Sequence, residues 1–415
     1  LFGGYRSLVV VLAANVVSIA GDALTLLAVP WLVLESTGSA ARAGIVAFCT
    51  VLPVVVSAVL GGPVIDRIGR RRVSVLADLV SAAVVAAVPV LLDLGVLRFW
   101  MLCALMAVTG LLRAPGETAR GVLLPALAER AGMPLIRAAG LYDGAARGAA
   151  TIGAALGGIL IATLGAGNVL FVDAATFATS ALLVAVGLRD LPHARFPPRV
   201  SRVPPRAYRR ELAAGYRHVF ASPLLLGVCL MALVTKALDQ GWSAVLLPVT
   251  ARDRLGGVVD LGVLEAAFAA GALAGALVYA AVGGRVRRWP VFTAAFLIVG
   301  APRFVVAAVS HSVVPLAVMM AVEGLACGVL NPILATAMYE AVPDELRSRV
   351  LSATTASVLA ISPLGALATG FFVGSAGLLT TTLAAGGVYL LATLGPLIVP
   401  AFRQLDRGST AGREP

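Results

Sequence analysis

Long apolar runs alternate with short polar breaks from one end of the 415-residue chain to the other. A run of about 18 or more apolar residues can cross ~30 Å of hydrocarbon as a helix. Counting such runs between charged or Pro/Gly-rich breaks predicts twelve, near residues 8–34, 42–63, 73–94, 98–116, 138–163, 168–188, 222–249, 258–282, 290–309, 313–338, 350–373 and 376–401. Strands of a membrane barrel would be about 10 residues long and alternate polar with apolar, which this sequence does not do. The expected fold class is all-α and integral to a membrane, with twelve transmembrane helices in two six-helix halves. The first run is too long for a cleaved signal peptide and reads as a true span.

A longer polar stretch, Arg189 to Phe220, separates six runs from six. Residues 1–188 then form an N-terminal half, 189–220 a linker, 221–402 a C-terminal half and 403–415 a tail. The linker opens with RDLPHARFPPRVSRVPPR, whose prolines exclude a continuous helix. RAYRRELAAGYRHVF follows, with Leu212, Tyr216, Val219 and Phe220 on one face and Arg209, Arg210 and Arg217 elsewhere. That is the pattern of an amphipathic helix lying along a membrane. The halves also echo each other. VLGGPVIDRIGRRR after the second run has a shorter counterpart, AVGGRVRRW, after the eighth, and LLPALAERAGMPLIRAAG after the fourth resembles YEAVPDELRSRVLSA after the tenth. Two six-helix repeats related by an axis along the membrane normal are a transporter architecture.

Composition agrees: 60% of the residues are hydrophobic and 13% charged, against about a quarter charged in soluble chains. The net charge of +11 does not point to nucleic acid, because the arginines sit in short segments between apolar runs. With the N-terminus inside, one side receives Arg6, the cluster at residues 67–72, Arg120, Arg130, Arg137, the linker, Arg285, Arg287, Arg288, Arg347, Arg349 and the tail. The other receives only Arg42, Arg98, Arg252 and Arg254. The positive-inside rule then places both termini in the cytoplasm. Cys49, Cys103, Cys229 and Cys327 are isolated within runs and read as inert thiols. His193, His218 and His311 form no ligand pair, and there is no Walker loop, nucleophile elbow or zinc motif. Neither an enzyme nor a metal or cofactor protein is expected.

GGPVIDRIGRRR resembles the loop signature of the major facilitator superfamily, G-x-L-x-D-R-x-G-R-R, with Gly62, Asp66, Arg67, Gly69, Arg70 and Arg71 at matching places and Val64 for the leucine. ATIGAALGG in the fifth run resembles the exporters' G-x-x-x-G-P-x-x-G-G, with Gly153, Gly157 and Gly158 matching, Ala149 for the first glycine and Ala154 for the proline. SIAGDALTLLAVPWLVLESTGSA, LLPAL…RAAGL and VPDELRSRVLS are similar to phrases of the bacterial branch that holds macrolide-efflux and enterobactin-exporter proteins. The resemblance covers almost the whole chain. It implies the superfamily fold in a bacterial inner membrane and proton-coupled export of hydrophobic or amphipathic small molecules. Protons, substrate and lipids would be the partners of a monomer. An importer or lipid flippase of the same fold, or a receptor without flux, is the alternative.

An ionisable group at the bilayer centre costs at least about 2.5–3.5 kcal/mol, so each marks a candidate. Asp22 lies mid-way in the first run and, partly desolvated, is suited to exchanging protons near neutral pH; the alternative is a structural aspartate, and the family phrase favours function. Glu323 in MMAVEGLACG is a second protonation or cation-binding candidate, or a structural partner. Lys236 and Asp239 share a helix face and either neutralise each other, or the lysine meets an anionic substrate group or a carboxylate on another helix, with Trp242 close by as a substrate-stacking candidate. Asp143 and Arg147, four apart, read as an intrahelical or interdomain ion pair with a gating or structural role, and Arg113 and Glu117, again four apart, as another cytoplasmic-side pair. Arg303, Asp173 and Glu265 are expected to snorkel to the interface, and Asp78 to join the arginine cluster. Gly271 to Gly275 and Gly153/Gly157 form small-residue faces for close helix approach.

The cluster itself sets an aspartate and four arginines within residues 66–72. The arginines anchor the turn inside, Gly69 suits a positive φ, and Asp66 can cap the next helix. The family resemblance further implies that Asp66 pairs with an arginine as a latch between transport states.

Overall fold

The computed structural model describes residues 2–189, 216–217, 219–282, 287–341 and 344–402. Among these, twelve helices are long and apolar enough to cross a membrane, the number that the apolar runs predict. The chain forms two compact units, residues 1–199 and 200–415.

The first unit holds α1 (Phe2–Thr37), α2 (Ala40–Ile68), α3 (Arg70–Asp93), α4 (Phe99–Arg130), α5 (Leu135–Leu164) and α6 (Ala166–Gly187). α1 packs on α5 and α6, α3 on α4 and α6, and α2 on α4. Gly69 ends α2 and starts α3 at φ +96°, a conformation that side chains oppose. Arg71, in the first turn of α3, donates from Nη2 to the carbonyl of Ala185 at 2.6 Å. That carbonyl lies near the C-terminus of α6, where unpaired oxygens favour a cation. The cluster thus ties one helix end to another within its own unit. Arg67 is exposed, and the side chain of Asp66 lies outside those described, as does any latch it makes.

The fourth apolar run was expected to end near residue 116, with Arg120 in a loop. Instead α4 continues through Pro115 and Pro125 to Arg130. Its 32 residues span about 48 Å at ~1.5 Å each, more than the hydrocarbon layer, and Arg120 is 2% exposed.

The second unit holds α7 (Pro223–Gly241), a π-helical turn (Trp242–Leu246), α8 (Leu247–Arg254), α9 (Val258–Val282), α10 (Arg288–Val299), α11 (Ala301–Val309), α12 (Val313–Ala341), α13 (Asp344–Ala376), α14 (Leu378–Thr393) and α15 (Gly395–Ile398). α7, the π turn and α8 make one span, Pro223–Arg254. The ninth span, Arg288–Val309, is broken at Gly300, whose ψ of −110° is far from helical. Residues 190–215 and 218 of the linker lie outside the described ones. Of its apolar face, Tyr216 shares a 2.7 Å hydrogen bond with Ser357. Val219 is buried with Leu225, Cys229 and Val350, while Phe220 is exposed.

α9 and α12 make the most intimate pair of the unit. A Cβ on Gly275 would lie 2.0 Å from the Leu325 carbonyl oxygen, and one on Gly324 2.0 Å from that of Phe268. Backbone has no rotamer with which to yield. Gly275→Val is therefore expected to destabilise the purified protein by at least the ~1–3 kcal/mol typical of overpacking. Gly387→Ala, where nothing lies within 4 Å, should have little effect. Thermal unfolding in detergent compares the two, and equal midpoints would contradict the close packing.

Candidate functional site

In the first unit polar side chains recur at helical spacing on three packed helices. On α1 they are Asn15, Ser18, Asp22 and Thr25; on α3, Ser74, Asp78 and Ser81; all are buried. α6 adds Asp173, Thr176 and Ser180, the first and last of these with no exposed surface. One face of a helix thus meets one face of another through polar groups, which away from water need partners; the Ser74 hydroxyl has none among the described residues.

The partners are specific. Arg120 donates from Nη1 to both oxygens of Asp78, at 2.8 and 2.9 Å, and from Nη2 to Ser18 at 3.2 Å. Ser180 donates to Asp78 at 2.7 Å. Asp78 was expected to join the arginine cluster; it is consumed here instead. Asp22 lies 3.6 Å from Nε of Arg113, which donates to Glu117 at 3.0 Å. The expected Arg113–Glu117 pair forms, and Asp22 shares the same guanidinium. One cation therefore stands opposite two carboxylates. Asp22, Asp78, Arg113, Glu117 and Arg120 line a small cleft with Ser18 and Ser81. Asp173 was expected to snorkel. It is fully buried and accepts hydrogen bonds from Thr25 and Thr176. Gly21 makes this possible, because a Cβ there would lie 2.2 Å from the Asp173 carboxylate.

Gly153, Gly157 and Gly158 are buried. Cβ atoms on Gly153 and Gly157 would lie 2.5 Å from the Ala20 carbonyl oxygen and 2.8 Å from Leu27. The small face of α5 thus packs on the helix that carries Asp22. Tyr142 on α5 donates to Asn15 at 2.9 Å. Asp143 and Arg147 are both exposed and form no ion pair with each other, so the intrahelical form of the expected pair is absent.

The second unit centres on Arg303, a residue expected at the interface and found 3% exposed. Its Nη1 donates to Glu323, and its Nη2 to Asp239 at 2.6 Å. Trp242, Phe304 and Tyr389 surround the guanidinium at 5.2, 4.7 and 5.0 Å from their ring centroids, a desolvated cation–π arrangement. Trp242 is thereby corrected from a substrate-stacking surface to a buried wall of this cage, 3% exposed and edge-on to Phe304. Two helix irregularities of the unit, the π turn beginning at Trp242 and the break before α11, border the cage. Helix interruptions of this kind recur at functional sites. Lys236 Nζ stands 3.7 Å from Asp239, while Glu265 is half-buried.

The profile of the Major Facilitator Superfamily matches residues 11–249 and 231–414. The chain belongs to the major facilitator superfamily. It is 35% identical over 405 residues to the multidrug efflux pump Tap of Mycobacterium tuberculosis (strain ATCC 25618 / H37Rv), covering 95% of this chain and 94% of that protein. It is also 31% identical over 277 residues to the enterobactin exporter EntS of Shigella boydii, covering 64% of this chain and 61% of that one. Among solved structures, a mutant form of the nucleoside transporter NupG superposes with a TM-score of 0.75 at 14% identity, over 94% of this chain and 99% of that one. A POT family transporter with 5-aminolevulinic acid gives 0.73 at 11%, over 96% of both. At such identities these likenesses establish the superfamily fold alone. The chain is a multi-pass membrane protein of a transporter family.

Sequence reasoning passed over Arg303, Asp173 and Arg120 as site residues. The recurrence of Ser18, Asp22 and Thr25 at helical spacing, mirrored by Asp173, Thr176 and Ser180, is the signal that would have found the first unit's network.

Proposed function

We propose that this chain is a secondary active transporter in a bacterial inner membrane, exporting hydrophobic or amphipathic small molecules by alternating access, with proton influx as the driving force. Export is supported by the likeness to a multidrug efflux pump over nearly the full length of both chains. Proton coupling rests on one observation above all: the buried Asp22 shares the Arg113 guanidinium with Glu117, so neutralising one carboxylate leaves the guanidinium still paired. Protonation of Asp22 would then shift the balance between states without leaving a buried charge alone. Glu323 stands in a parallel position beside Asp239. In everted vesicles containing the protein, an acid-inside gradient is expected to drive uptake of a lipophilic dye, and a protonophore to abolish it. Uptake that survives collapse of the gradient would rule out the coupling.

A further inference from the structure

Four charged groups in the second unit form a chain running inward from the surface. Lys236 is 56% exposed, Asp239 29%, Arg303 3% and Glu323 2% by side chain. The inner links are tight, since Arg303 is hydrogen-bonded to both carboxylates and held by three rings. The outermost link is loose. At 3.7 Å from Asp239 the Lys236 ammonium is beyond hydrogen-bonding distance, and none of its three N–H groups bonds to another described residue. Asp239 cannot turn fully toward it, because its other oxygen is bound to Arg303 at 2.6 Å.

Position makes this lysine unusual. It stands thirteen residues from the start and eighteen from the end of the span Pro223–Arg254, about 20 Å from the nearer end. Its stem is too short to bring the charge to a headgroup, and an ammonium facing hydrocarbon at that depth is strongly disfavoured. The same face carries the half-buried Gln240 and the exposed Ser243. A polar, exposed stripe at mid-span is a wetted surface, and Lys236 is the cation on it.

Building on the reading of the protein as an exporter, we propose that Lys236 binds an anionic group of the transported molecule, a carboxylate or an equivalent oxyanion. Asp239 and Arg303 act as positioning residues: they hold the lysine at the surface without consuming its donors. The substrate class is then amphipathic molecules that carry an apolar body and one such anionic group.

A xanthene dye with a free carboxylate and the ethyl ester of the same dye test this, with binding to the purified full chain in lipid nanodiscs read by fluorescence anisotropy. The wild type is expected to bind the carboxylate about tenfold more tightly than the ester, the scale of one charge-assisted hydrogen bond. Lys236→Gln should remove that preference while changing ester affinity less than about twofold, and Lys236→Arg should restore most of it. Equal weakening of both dyes by Lys236→Gln, or no wild-type preference, overturns the proposal. If the preference and its loss are seen while a proton gradient drives export of neither dye, the lysine's role stands and proton-coupled export falls. If the gradient drives export of the ester but no preference exists, only the lysine's role falls.

Discussion

Arg303→Leu is expected to lower the thermal unfolding midpoint of the detergent-purified protein sharply, and to reduce its accumulation in the membrane. The guanidinium is the only hydrogen-bond partner that the described residues give the carboxylate of Glu323, and it holds Asp239 at 2.6 Å. Leucine fills part of the space but leaves one carboxylate buried without a cation and the other with only the loose Lys236 contact. Breaking a buried pair from one side costs about 3–5 kcal/mol, and the loss of three ring contacts adds up to ~2 kcal/mol. The triple change Arg303→Leu, Asp239→Asn, Glu323→Gln removes the stranded charges as well. It is expected to recover most of the midpoint, because a neutral cluster of similar volume is tolerated where half of an ion pair is not. Equal midpoints for the single and triple variants would mean that packing, not charge compensation, is what Arg303 supplies.

The elements were legible in the sequence because hydrocarbon imposes length and composition on every span. Twelve apolar runs became twelve spans, and Gly69 took the positive φ expected of it. The extent of α4 was not legible: Pro115, Gly116 and Glu117 look like a break, yet packing on α2 and α3 carries the helix through them. The same cause hid Arg120, which a loop would have left in water. Arg303 and Asp173 were misplaced for a related reason. Their distance along a span suggested snorkelling, but a side chain's surroundings are set by which face its helix turns inward. That face becomes visible only when the polar stripes of neighbouring helices are matched, as those of α1, α3 and α6 are here. Asp22 was legible as a candidate because a carboxylate near the middle of a span must face protein or water and not lipid, and its helix face turns inward as that requires.

Asp22→Asn is expected to abolish gradient-driven uptake in everted vesicles, to the level of vesicles without the protein, while leaving the fold intact. Asparagine matches aspartate in size and can still accept a hydrogen bond at the cleft. Arg113 keeps Glu117 at 3.0 Å, so no cation is stranded, and the large penalty for breaking a buried pair is avoided. The unfolding midpoint should therefore stay within the range of the wild type. What asparagine cannot do is alternate between charged and neutral forms. A protonation-dependent shift between states would be frozen, and with it the dependence of uptake on pH. Downhill movement of substrate, which needs the conformational cycle but no coupled proton, should persist. Asp22→Glu, which retains a titratable group on a longer stem, should keep part of the driven uptake. Full gradient-driven transport by Asp22→Asn would exclude Asp22 as the coupling group and leave Glu323 as the next candidate. Loss of both driven and downhill movement with an unchanged midpoint would instead make Asp22 part of substrate binding.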